Sequence, residues 1–299
     1  MEQQKRSLCH IHLAVALFGL SGVFGKLIDQ PAMIIVLGRV VFSAISLWLL
    51  IQIKHYSLRL HERGQGRALV ALGGLLALHW CSFYQAIQLS GVAVGLLTFS
   101  AFPIFVTFLE PLLLRQKLRR QDVILAAVTF AGVMIVTPFE EEANMLVGVV
   151  WGLFSGLTYA LLGILNKLLV AELPAPVISF YEQGSAAVLL LPALLFYHPS
   201  FTYRDISLTI LLGVVFTALS HTLFIHGLRG VRAQTASIIS VLEPIYGIVF
   251  AMLFLKEYPG LREILGGAVI LGCAFYSSYQ EAKPARQDES MEEKEKTAP

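Results

Sequence analysis

The chain of 299 residues is 56% hydrophobic and only 14% charged, with a mean hydropathy of +0.71. Charged residues normally make up about a quarter of a soluble domain, so a water-soluble globule is excluded. The net charge of +2 says little, and three scattered cysteines (Cys9, Cys81, Cys273) give neither a disulfide framework nor a metal site.

Long apolar runs such as 92–114, 123–136 and 146–165 each approach the roughly 20 residues that cross a bilayer core. Windows of that length predict ten helices, near 11–28, 32–53, 67–88, 92–114, 121–138, 146–170, 175–197, 206–228, 235–255 and 260–280. Lys5 and Arg6 precede the first run as in a signal peptide. That run continues too far, without an A-x-A site, and is read as an uncleaved span. Of the Lys and Arg residues in the connections, 17 fall on one side and only Arg204, Lys256 and Arg262 on the other. The positive-inside rule then places both termini in the cytoplasm. The tail 281–299 is polar and charge-dense, and is expected to be disordered there.

Polar residues within these spans are costly, roughly 2.5–3.5 kcal/mol for a charge on insertion scales, so each is a functional candidate. In chain order, Gly19, Gly22 and Gly25 in helix 1 are spaced for close helix contact, as are Gly148, Gly152 and Gly156 in helix 6. Either stripe suits an intramolecular seam or a homodimer face, and the seam is the reading preferred. Lys26 and Lys167 lie near helix ends, where long stems snorkel to the interface. Arg39 is about seven residues into helix 2, roughly 10 Å deep. Glu182, beside Tyr181, is similarly deep in helix 7 from the other face. The pair reads equally well as a salt bridge tying two halves together or as parts of a substrate site.

His79 falls near the middle of helix 3 with Trp80 and Tyr84 beside it, and His221 in helix 8 is nearly equivalent. Such histidines either glue helices together or line a cavity. Tyr159 of helix 6 joins the same inventory, whereas His226 reads as interfacial. Glu110 precedes Arg115 by about one turn and reads as an interfacial ion pair. In "SVLEPIYGIVF", Glu243 directly precedes Pro244 in the middle of a span. Proline lacks the N–H that would bond the Ser240 carbonyl. Freed backbone is tolerated at that depth only beside a cavity or where neighbours rebond it. Pro103 repeats the arrangement, so helices 4 and 9 are expected to kink toward a central cavity faced by Glu243.

A shift of 141 residues superposes Lys26 on Lys167, Phe83 on Phe224, Pro103 on Pro244 and Arg115 on Lys256, and places Arg39 on Phe180. The expected fold is therefore an all-α integral membrane protein of ten transmembrane helices in two five-helix repeats, 9–138 and 146–280. Because five is odd, the second repeat is inverted, an arrangement whose binding site lies near the midplane between the halves. The halves are not chemically equal: Gln116 matches Glu257, and Phe102 matches Glu243.

The segment "VLEPIYGIVFAMLFLKE", followed by "LREILGGAVILGC", resembles the last two helices of an EamA domain. "SAFPIFVTFLEPLLLRQKLRRQDVILAAVTFAGVMIV" is similar to the same segment of another. The resemblance covers nearly the whole chain. It implies membership of the EamA family in the drug/metabolite transporter superfamily, and an exporter or exchanger of the inner or plasma membrane working by alternating access.

The expected function is secondary active transport, in the direction of export, of a small organic metabolite, an amino acid or amphiphilic compound, with a coupling proton as a candidate partner. Arg39, His79, Trp80, Tyr84, Tyr159, Tyr181, Glu182, His221 and Glu243 form the substrate-site inventory. No cofactor, metal or nucleic acid is implied. A non-coupled channel or a scaffold is the alternative. An intramembrane enzyme is disfavoured, since no G-x-x-x-x-G-K-[ST] or H-E-x-x-H is present and "GLSG" sits in helix 1.

Overall fold

A computed structural model describes residues 2–60, 64–114, 120–137, 143–169, 173–228 and 239–282. Among these the secondary structure is helical throughout. In chain order the elements are α1 (Glu2–Lys26), α2 (Ala32–Lys54), α3 (Gln65–Phe99), α4 (Phe102–Leu114), α5 (Arg120–Val136) and α6 (Ala143–Leu169). There follow α7 (Ala175–Leu190), a single turn α8 (Ala193–Phe196) and α9 (Tyr203–Gly213), which runs through a π-helical stretch (Val214–Leu219) into α10 (Ser220–Leu228). The last two are α11 (Glu243–Phe254) and α12 (Leu261–Ala282).

Among the described residues, six helical stretches are long and apolar enough to cross a membrane: Lys5–Lys26, Ala32–Lys54, Gln65–Phe99, Asn144–Asn166, Ala175–Phe196 and Tyr203–Gly227. Val123–Val136 and Glu243–Phe254 are apolar but shorter. The described helices do not confirm ten separate spans, and some of the predicted boundaries differ for local backbone reasons. The predicted helices 3 and 4 run on as α3, bent at Gly91, whose φ of 82° and ψ of 167° only glycine adopts readily. The predicted helix 4 is then cut again before α4.

That second cut corrects the role expected of the prolines. Residues 100–101 form a turn, with Ala101 N–H bonded to Thr98 O, and α4 starts at Phe102 with Pro103 in its first turn. Residues 241–242 do the same, with Leu242 N–H bonded to Ile239 O, and α11 starts at Glu243 with Pro244 in its first turn. Pro103 and Pro244 therefore begin helices instead of kinking them. At a first turn the missing N–H has no intrahelical partner to lose, and the fixed φ already suits a helix.

The packing partners recur in pairs. α1 lies against α10 and α11, as α6 lies against α3 and α4; α2 packs on α7, and α5 on α12. α2 also meets α9, as α7 meets α3. The glycine stripes are consumed by these seams: a Cβ at Gly19 would fall 2.9 Å from Glu243 O, and one at Gly156 2.9 Å from Phe99 O. The interior holds a large apolar cluster that includes Val23, Ile35, Leu76, Trp80, Leu96 and Phe216. Large apolar side chains also cover the outside, Phe196 at 80% and Leu112 at 74% exposure among them. Water would penalise such a surface, and lipid does not.

Candidate substrate-binding site

Arg39 is 2% exposed, at the centre of the bundle. Its Nε donates to Thr217 Oγ1 at 2.9 Å and its Nη1 to Tyr84 Oη at 2.9 Å. The guanidinium carbon lies 3.9 Å from the centroid of the Trp80 ring, a cation–π stack. Each partner is held in turn. Tyr84 Oη donates to Ser21 O at 3.1 Å and lies 2.8 Å from Ser21 Oγ. Thr217 Oγ1 donates to Leu212 O, five residues back, at 2.7 Å. That spacing belongs to the π-helical stretch, which therefore aims Thr217 at Arg39.

Gly25 makes room for this arrangement, because a Cβ there would fall 1.9 Å from Tyr84 Cε1. On the neighbouring face of α3, His79 Nδ1 lies 3.1 Å from Ser155 O and 2.9 Å from Ser155 Oγ, tying α3 to α6. The His79 ring faces Tyr159 at 5.1 Å, and Tyr159 also meets Phe99 and Phe102 at the break between α3 and α4. His221 stands edge-on to Trp80 at 5.2 Å and meets Phe18 at 5.2 Å.

Glu243 is buried at the first turn of α11, where the helix's N-terminal amides favour a carboxylate. It lies within electrostatic reach of Arg39, Tyr84 and Tyr159. Among the described residues it forms no ion pair with Arg39, its carboxylate accepts no hydrogen bond from protein, and Arg39 Nη2 donates none. Arg39 and Glu243 thus lie within electrostatic reach of each other without an ion pair between them.

Seven of the nine residues expected at the site are brought together here: Arg39, His79, Trp80, Tyr84, Tyr159, His221 and Glu243. Tyr181 and Glu182 are not. Tyr181 Oη donates to Leu58 O in the connection between α2 and α3. Glu182 faces Asn166 of α6, so the expected Arg39–Glu182 pair does not form. Ser21, Ser155 and Thr217 hold the site residues but were not expected. Single hydroxyls in apolar helices carry no periodic signal, and no residue pattern announces a π turn.

Lys26 does not simply snorkel. It forms an ion pair with Glu257, whose Oε2 also accepts from Val92 N–H at 3.2 Å just after the Gly91 bend. A cavity of about 190 Å³ lies beside this pair, lined in part by Ser90, Val94, Ile248 and Glu263. The expected Glu110–Arg115 pair and the Lys167 side chain lie outside the described residues, as does 283–299 of the tail.

Comparison with known proteins agrees with this architecture. The EamA-like transporter family matches residues 5–137 and again 146–279. An uncharacterised transporter of Archaeoglobus fulgidus is 29% identical over 69% of this chain and 74% of its own length. The uncharacterised transporter YwfM of Bacillus subtilis is 25% identical over 87% of this chain and 89% of its own. An S-adenosylmethionine uptake transporter of Rickettsia bellii is 23% identical over 71% and 72%, respectively. A solved crystal structure shares the fold at a TM-score of 0.65 and 12% identity, covering 93% of this chain and 99% of that one. Two family matches that together span nearly all of an all-helical, lipid-suited chain lead to one conclusion: it belongs to the EamA-like transporter family, as a multi-pass membrane transporter.

Proposed function

We propose that the chain is a secondary active transporter for a small zwitterionic metabolite, carried by alternating access and exported across the plasma membrane. Its ten spans form two inverted five-helix repeats with both termini in the cytoplasm. The recurring helix partners support the repeats, and the lysine and arginine bias supports the orientation. The observation that carries the substrate reading is the gap between Arg39 and Glu243. Arg39 keeps Nη2 free for a carboxylate, with its fork fixed by Trp80, Tyr84 and Thr217. Glu243 presents an unbonded carboxylate to an ammonium or other cationic centre.

A substrate carrying both charges satisfies both groups at once, whereas either charge left alone in so dry a place is costly. The aromatic rings of Trp80 and Tyr159 suit an apolar or cationic side group on the same molecule. S-adenosylmethionine, the substrate in the name of one relative, has an amino-acid end and a sulfonium, and belongs in the first panel of candidates.

The test is counterflow in proteoliposomes. Vesicles loaded with an unlabelled amino acid or S-adenosylmethionine should accelerate uptake of the same labelled compound, which a channel or scaffold would not do. Arg39→Lys keeps the charge but loses the planar fork, and should weaken binding of the active compound by about 10–100-fold with folding intact. Wild-type counterflow by Arg39→Lys would remove the carboxylate from Arg39.

A further inference from the structure

Glu182 is 1% exposed, and its Oε1 has no hydrogen-bond partner. It is not an isolated case. Ser179 Oγ, both side-chain polar atoms of Gln183 and Asn166 Oδ1 are likewise buried and unpartnered. Buried polar atoms are satisfied in the great majority of cases, so several orphans in one place call for a ligand. Three of these residues share a stripe of α7, since positions 179, 182 and 183 are three and four apart. Asn166 reaches Glu182 from α6 through a side-chain hydrogen bond, which leaves Asn166 Oδ1 and Glu182 Oε1 unpartnered.

The location has a counterpart across the molecule. A Cβ at Gly213 would meet Arg39 O, Phe42 Cβ and Ser43 N; one at Gly73 would meet Glu182 O, Ser185 Cβ and Ala186 N. Arg39 and Glu182 thus take the same place against α9 and α3, with opposite charge. Arg39 is surrounded by oxygen and aromatic partners that accept a cation. Glu182 has no cationic partner among the described residues.

We propose that Glu182, Ser179 and Gln183 of α7, with Asn166 of α6, form a binding site for one small monovalent cation, sodium by its chemistry. Four of the unpartnered atoms, Glu182 Oε1, Ser179 Oγ, Gln183 Oε1 and Asn166 Oδ1, are oxygens, which hard cations prefer. A single carboxylate among neutral oxygens balances one positive charge and not two. The site is separate from Arg39 and Glu243, so its occupancy is measured without any substrate.

The purified full-length chain in detergent would be tested by ²²Na⁺ binding and by thermal unfolding in sodium chloride against choline chloride, at equal ionic strength and pH. Saturable sodium binding is expected, with an unfolding midpoint higher by about 2–4 °C at saturation. Glu182→Gln should abolish both effects. Asn166→Ala, which leaves the carboxylate in place, should weaken binding about tenfold and serves if Glu182→Gln fails to fold. Equal behaviour in sodium and choline overturns the proposal, as does an undiminished sodium effect in both variants. Stabilisation by acid without any response to sodium would also overturn it, making a proton the occupant.

Discussion

Arg39 and Glu243 are a costly pair of residues to bury, and the surroundings offset the two costs differently. The guanidinium is stacked on Trp80 and bonded to two hydroxyls, so it is fixed before any substrate arrives. That preorganisation means less ordering entropy is lost on binding. Glu243 relies on the first turn of α11 and on nearby charge, and is therefore the group whose state should change through a transport cycle. Glu243→Gln keeps the size and hydrogen-bonding capacity but cannot ionise. We expect a folded protein, with an unfolding midpoint near wild type, whose net transport is lost or becomes independent of the proton gradient. Wild-type rates with wild-type pH dependence in that variant would make Glu243 a structural residue.

Broken elements organise the site at the next scale. α4 and α11 each begin inside the bundle behind a two-residue turn, and each carries proline in its first turn. The N-terminal amides freed by such breaks are suited to polar chemistry at a depth where continuous helices expose none. One end of this arrangement is fastened by the Lys26–Glu257 pair, with Val92 N–H on the same carboxylate, joining α1, α3 and the segment after α11. The repeat offers no second copy of this latch, because Gln116 stands where Glu257 would be. Lys26→Met should loosen that end alone. A cysteine at Ala93, in the lining of the adjacent cavity, should then react several-fold faster with a polar maleimide added outside. Unchanged reactivity would show that the pair does not hold that end closed.

For the whole molecule, the topology proposed from the paired helix contacts and the charge bias is directly measurable. Asn144, near the start of α6, and Ser57, after α2, are both exposed. Gln65 is buried, which makes Ser57 the better reporter for the inner side. In a chain lacking Cys9, Cys81 and Cys273, a cysteine at Asn144 should be labelled from outside and one at Ser57 only after permeabilisation. Labelling of both from one side would end the inverted-repeat proposal.

The sequence by itself determined the membrane class and the helical content, which follow from composition and run length, and the family, which rests on the resemblance of two segments to EamA domains. Charges and histidines in apolar helices are conspicuous wherever the chain goes, and seven of the nine residues singled out meet in space. Only the tertiary structure decided which of them meet. Arg39 and Glu182 looked like partners because depth is readable from sequence, but the direction around a helix axis relative to other helices is not. A bend at Gly91 and a π turn before Ser220 each re-aim several side chains at once. The turns ahead of Pro103 and Pro244 were equally hidden, since proline is compatible with both a kink and a helix start. Long-range packing chooses between those, and it is a property of all the helices together.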